Sequence, residues 1–115
     1  MLKVYGISNC DTVKKALAWL KEHQLAYEFH DYKKVGITPQ KLNEWLTQVP
    51  HQTLINRAGT TFKKLSEEEK SMIVDNASAV SLMLERTSVI KRPIIESKHI
   101  LLVGFKPEEY QNTLI

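Results

Sequence analysis

A strand, a helix and a second strand fit within about thirty residues at the start of this chain, and nothing else in the sequence narrows the fold so far. Leu2 to Tyr5 is a short apolar run that breaks at Gly6 into the small polar residues Ser8 and Asn9. Val13, Ala16, Leu17 and Leu20 then recur at the spacing of one helix face. After a break at Gln24, Leu25, Tyr27 and Phe29 alternate with Ala26, Glu28 and His30, the period of a strand with one apolar side. A connection of that length makes a right-handed crossover and sets the two strands parallel.

The only cysteine, Cys10, stands where the loop turns into the helix. The unpaired N–H groups of a helix start and its positive dipole end favour a thiolate there and can hold an anion beside it. Ser8 and Asn9, in the same loop, are therefore candidate anion contacts. A lone cysteine also fits a small buried apolar residue, and the carboxylate of Asp11 beside it disfavours a thiolate. Loop position alone leaves both readings open.

Thr38-Pro39 reads as a helix cap followed by proline, with Leu42, Trp45, Leu46 and Val49 on one face and Pro50 as the stop. Leu54 to Phe62 reads as irregular around Gly59. Ser66 to Glu69 is a capping box for a helix reaching about Asp75, and Ser78 is expected to cap a further short helix. Val89 to Glu96 and Ile100 to Gly104 form two apolar runs joined by Ser97-Lys98-His99, a β-hairpin whose Pro93 must start or edge its strand. Pro107 opens a last helix.

This order predicts an α/β fold: a thioredoxin-like mixed four-stranded sheet flanked by helices, with a helical insertion at about 38–88 between a βαβ half and a ββα half. The whole chain, 1–115, is expected to be a single domain. In that plan the cysteine after the first strand meets the proline before the third, and that proline is typically cis. Arg92 then comes close to Cys10, where a guanidinium stabilises a thiolate and can bind an oxyanion through two parallel hydrogen bonds. Arg57, in the glycine-containing loop, is a second candidate, although an arginine is as readily a solvated surface group.

Composition excludes several classes. One cysteine forbids an internal disulfide and fits a reducing compartment, so a cytoplasmic location is expected. No apolar run approaches the roughly 20 residues of a membrane span. The net charge of +3 is spread over lysine pairs such as Lys14-Lys15 and Lys63-Lys64, without the dense basic tract that nucleic acid calls for. His23, His30, His51 and His99 are dispersed, and no metal site is expected.

Five segments carry a resemblance that runs over essentially the whole chain. They are Tyr5-Gly6-Ile7-Ser8-Asn9-Cys10-Asp11-Thr12-Val13-Lys14-Lys15-Ala16, Phe29-His30-Asp31-Tyr32, Asn56 to Leu65, Ile90-Lys91-Arg92-Pro93-Ile94 and Leu102-Val103-Gly104-Phe105. Together they resemble the YffB branch of the arsenate-reductase-like (ArsC/Spx) family. The resemblance implies a thioredoxin-like fold with a helical insertion, a catalytic Cys10, and oxyanion-contacting Arg92 and Arg57 beside a cis Pro93. It also implies the glutathione-dependent thiol reductase activity described for that branch.

Two departures bear on the substrate. Glutaredoxin-coupled arsenate reductases have a histidine four residues before the cysteine, where this chain has Gly6, and a third arginine where it reads Val103-Gly104-Phe105-Lys106. Lys106 supplies charge without a planar fork. Val13 replaces the second cysteine of the Cys-x-x-Cys found in many Spx-type regulators, which rules out a disulfide switch within this motif.

The expected chemistry is thiol–disulfide reduction through a mixed disulfide on Cys10, resolved by an external thiol. Glutathione is the economical co-substrate, and no bound cofactor is expected. Backbone groups beside Pro93 would align a peptide-like ligand. The alternatives are arsenate reduction coupled to glutathione or glutaredoxin, and a non-catalytic Spx-like regulator that docks on RNA polymerase.

Overall fold

A computed structural model describes all 115 residues. In chain order they form β1 (Leu2–Gly6), α1 (Asp11–Glu22), β2 (Tyr27–Asp31), α2 (Pro39–Leu46), α3 (His51–Leu54), α4 (Thr60–Lys63), α5 (Glu67–Ser71), α6 (Asn76–Glu85), β3 (Ile94–Ser97), β4 (Ile100–Val103) and α7 (Pro107–Leu114). A single 3-10 turn lies at Thr87–Val89. The residues divide into two compact units, Met1–Val35 with Arg92–Ile115, and Gly36–Lys91.

The first unit contains the whole sheet, in the order β2-β1-β3-β4. β1 and β2 are parallel, from Leu2 opposite Tyr27 to Gly6 opposite Asp31, as a crossover through α1 requires. β3 runs antiparallel to both β1 and β4. This mixed four-stranded sheet with flanking helices is the thioredoxin-like plan that the element order predicts. Val4, Ile95 and Leu102 of the sheet pack with Ala16 and Leu20 of α1 and Tyr110 of α7 in one buried cluster. Val4, Leu20, Ile95 and Leu102 each contribute about 1.5–3 kcal/mol by leaving water.

Local chemistry explains the ends of α1. Gln24 takes a left-handed conformation, with φ of 57°, and ends the helix where the sequence suggests a break. At the other end, a Cβ added to Gly6 would lie 2.9 Å from Cγ2 of Val13. The strand therefore approaches the helix more closely than any residue with a side chain permits.

The second unit is helical. Thr38 caps α2 by accepting the N–H of Lys41, and Leu42 and Trp45 are fully buried. The stretch 54–62, expected to be irregular, instead contains the end of α3 and the start of α4, with Ile55 bridged to Ile90. That bridge and the turn at Thr87–Val89 use residues assigned from sequence to the first hairpin strand, so β3 begins only at Ile94. α5 ends at Ser71 and stops short of Asp75, because Asp75 is the cap of α6. Its carboxylate accepts the N–H of Ser78 at 2.9 Å while the Ser78 hydroxyl accepts the Asp75 N–H at 3.1 Å. Ser78 is thus the reciprocal partner in the box, not the cap expected from sequence.

Candidate active site

β1 ends at Gly6, and the chain turns at once: the N–H of Cys10 donates to the carbonyl of Ile7 at 3.3 Å. Cys10 is the residue before the first turn of α1, and its own carbonyl accepts the N–H of Lys14 at 3.0 Å. The sulfur does not make the ordinary cap hydrogen bond of a serine oxygen. It is partly exposed, and the amides at the helix start favour its anionic form.

Arg92 reaches the same sulfur from the other half of the unit. The Arg92–Pro93 peptide is cis, and Pro93 is bonded into the hairpin, its carbonyl accepting the N–H of Gly104 at 2.8 Å. Burial pushes the Cys10 thiol up. The N–H of Val13, the hydrogen-bonding and charged Arg92 guanidinium, and the N–H of Thr12 outweigh it, so the thiol titrates below its ordinary value. Burial works against the charge on Arg92 as well, but the sulfur of Cys10 and the phenol of Tyr32 more than offset it.

Two residues to which sequence reasoning assigned no role complete this arrangement. Asp31, at the end of β2, is 8% exposed. Its carboxylate accepts the backbone N–H of Ser8 at 3.2 Å, of Lys33 at 3.0 Å and of Lys34 at 3.2 Å. Burial raises the Asp31 carboxyl, but the N–H groups of Ser8, Lys34 and Lys33 and the hydroxyl of Ser8 bring it below its ordinary value. Tyr32 follows with its ring wholly buried and its phenol hydrogen-bonded to Arg92. The available signal was topological: Asp31 pairs with Gly6 at the carboxyl ends of two parallel strands, where α/β folds collect functional loops.

The other candidates are placed as follows. Ser8 donates to Asp31 through its amide and its hydroxyl, which makes it an anchor of the loop. Asn9 is exposed at the turn, and Lys106 is exposed just before α7. Val13, Arg92 and Thr12 are the leading groups that favour the Cys10 thiolate. Arg57 belongs to the helical unit, where it is exposed and its guanidinium carbon stands 5.6 Å from the centroid of the Phe62 ring. No three His, Cys, Asp or Glu side chains gather at a metal-ligand spacing. No helix is long and apolar enough to cross a membrane.

Residues 5–113 match the model of the ArsC family. The chain belongs to the ArsC family. Among ArsC-like relatives, an uncharacterized protein of Haemophilus influenzae is 42% identical over 96% of each chain. The global transcriptional regulator Spx of Streptococcus agalactiae is 27% identical over 95% of this chain and 80% of its own. Of solved structures, a YffB protein is 50% identical with a TM-score of 0.93 over the whole of both chains. An arsenate reductase (ArsC) related protein from Brucella melitensis is 50% identical, with a TM-score of 0.79 over 98% of this chain and 93% of that one. The ArsC match begins at the end of β1, takes in Cys10 and α1, and extends through Arg92 into α7.

Proposed function

We propose that this ArsC-family chain is a thiol–disulfide oxidoreductase that works through Cys10 alone and uses glutathione as its second thiol. The observation that carries the reading is the sulfur of Cys10 set between the first amides of α1 and the Arg92 guanidinium, with its pKa lowered. A thiolate is the attacking species in disulfide exchange, and this placement favours it over the thiol.

In the first step the Cys10 thiolate attacks a substrate–glutathione mixed disulfide. A Cys10–glutathione disulfide forms, and the substrate leaves as a thiolate, which takes a proton from solvent. In the second step a glutathione thiolate attacks that disulfide, oxidised glutathione leaves, and the Cys10 thiolate is restored. Each cycle consumes one free glutathione thiol, and the oxidised glutathione that leaves joins it to the glutathione taken from the substrate disulfide. A single cysteine suffices because the resolving thiol comes from outside. In this reading Arg92 meets a carboxylate of glutathione, with Asn9 and Lys106 as further contacts to be tested.

Reduction of a glutathionylated substrate, followed by release of oxidised glutathione, tests this reading. The unmutated protein turns over and Cys10→Ser does not. Turnover by Cys10→Ser equal to that of the parent overturns the proposal.

Arsenate reduction is the weaker enzymatic reading. The arsenate-reductase histidine would fall at Gly6, where even a methyl group meets Val13. A second reading, transcriptional regulation through a protein partner such as RNA polymerase, is favoured by the Spx relative at 27% identity. It predicts a stoichiometric complex that survives Cys10→Ser.

A further inference from the structure

We infer that Tyr32 is the positioning residue of the thiolate site: its buried phenol hydrogen-bonds the guanidinium of Arg92 and holds it against the sulfur of Cys10. This inference rests on the proposed nucleophilic role of Cys10 and adds the device that keeps the cation in place.

The geometry has two parts. The first is the anchoring of the ring. Tyr32 is 0% exposed, and its N–H donates to the carbonyl of Gly6 at 3.1 Å, continuing the parallel β1–β2 ladder one residue beyond Asp31. The backbone at 32 is thereby tied to the strand that leads into the Cys10 loop. The second part is the guanidinium itself, which hydrogen-bonds both the Cys10 sulfur and the Tyr32 side chain. An arginine presents five N–H donors in a rigid fork, so one edge can serve the phenol oxygen while another serves the sulfur.

The energetic reason for such an anchor is side-chain entropy. A free arginine has several freely rotating side-chain bonds to lose on being fixed. A phenol already immobilised by its own burial restricts the guanidinium before any substrate arrives. Burial pushes the Tyr32 hydroxyl up to about 12, Arg92 pulling it down and the charges of Cys10 and Asp31 pushing it up. It therefore stays a neutral phenol throughout the range in which Cys10 titrates, and the anchor does not change charge as the thiolate forms.

The experiment compares the unmutated protein, Tyr32→Phe, Arg92→Ala and the double variant. The Cys10 midpoint is read from the pH dependence of iodoacetamide alkylation, followed by intact mass. Tyr32→Phe keeps the buried ring and removes only the hydroxyl, and it raises the midpoint by about half to one pH unit. In the Arg92→Ala background the same change has no further effect, because the phenol acts through the guanidinium. An unchanged midpoint in Tyr32→Phe overturns the inference, as does an equal shift in both backgrounds.

A nuclear Overhauser contact between the Tyr32 ring protons and the Arg92 guanidinium protons is expected in the unmutated protein, and its absence also overturns the inference without requiring any variant to fold. An ordinary thiol midpoint in the unmutated protein would instead sink the nucleophile reading itself. A depressed midpoint that Tyr32→Phe leaves in place sinks the role of Tyr32 alone.

Discussion

The carboxylate of Asp31 accepts the backbone N–H of Ser8 at 3.2 Å, two residues before the cysteine that stands at the start of α1. The end of β2 is thereby tied to the loop that delivers the sulfur. The same carboxylate gathers the N–H groups of Lys33 and Lys34, so one side chain organises both loops at this edge of the sheet.

Asp31→Ala removes these acceptors and leaves partly buried N–H groups unpaired. Hydrogen bonds to a charged group contribute about 1.5–3 kcal/mol, and a total loss of roughly 2–4 kcal/mol is expected in urea unfolding. The folded-state pKa of Asp31 is depressed, so its contribution is full above the unfolded carboxylate value and is lost as pH falls through the folded one. The gap between the parent and Asp31→Ala should therefore narrow below about pH 4, which denaturation at several pH values checks.

Arg92→Ala raises the Cys10 midpoint, because the N–H groups of Val13 and Thr12 are then left alone to work against burial. A rise of about one unit corresponds to roughly tenfold slower alkylation at a pH below both midpoints. Arg92→Lys should fall between the two, since an ammonium supplies charge without the fork that reaches two partners. Alkylation rates across pH for the three proteins measure this order.

Cys10→Ser should change how stability depends on pH. A thiol whose folded pKa is lowered stabilises the fold fully above the unfolded value of about 8.5, and that contribution is lost as pH falls through the folded value. The parent should thus gain on Cys10→Ser as pH rises from neutral toward 9. Paired thermal melts under reducing conditions read the difference, and a constant offset across that range would contradict the charge argument.

Gly6→Ala places a methyl group 2.9 Å from Cγ2 of the fully buried Val13. Overpacking of that kind costs about 1–3 kcal/mol. Gly6→Ala/Val13→Ala restores space and should recover part of the approach between β1 and α1, at the expense of a cavity. Chemical denaturation of the single and double variants tests whether the two positions are coupled.

The cysteine, the helix start and the parallel crossover were legible because each is local. A glycine break, small polar residues and apolar spacing from Val13 to Leu20 suffice to set a loop at the start of a helix. Arg92 was legible through its place before Pro93 in the expected hairpin. Tyr32 was not, because a tyrosine at a strand end reads equally as core or surface, and its partner lies sixty positions away. Ser8 reads as an anion contact from its place in the loop before the helix, and the folded chain gives its amide and hydroxyl to Asp31. At Ser78 the two members of a capping box were distinguishable only once the backbone of Asp75 was seen to be extended.

By itself the sequence determined the order of the four strands with α1, α2 and α7, the single sulfur and its place before α1, since these follow from short-range periodicity and from backbone preferences at glycine and proline. Only the tertiary structure decided that the Arg92 guanidinium also meets the phenol of Tyr32 and that Asp31 fastens the loop. Ion pairing and hydrogen bonding act over a few ångströms, whatever the separation along the chain. Residues 8, 10, 31, 32 and 92 become neighbours only when β2, β1 and β3 align in one sheet.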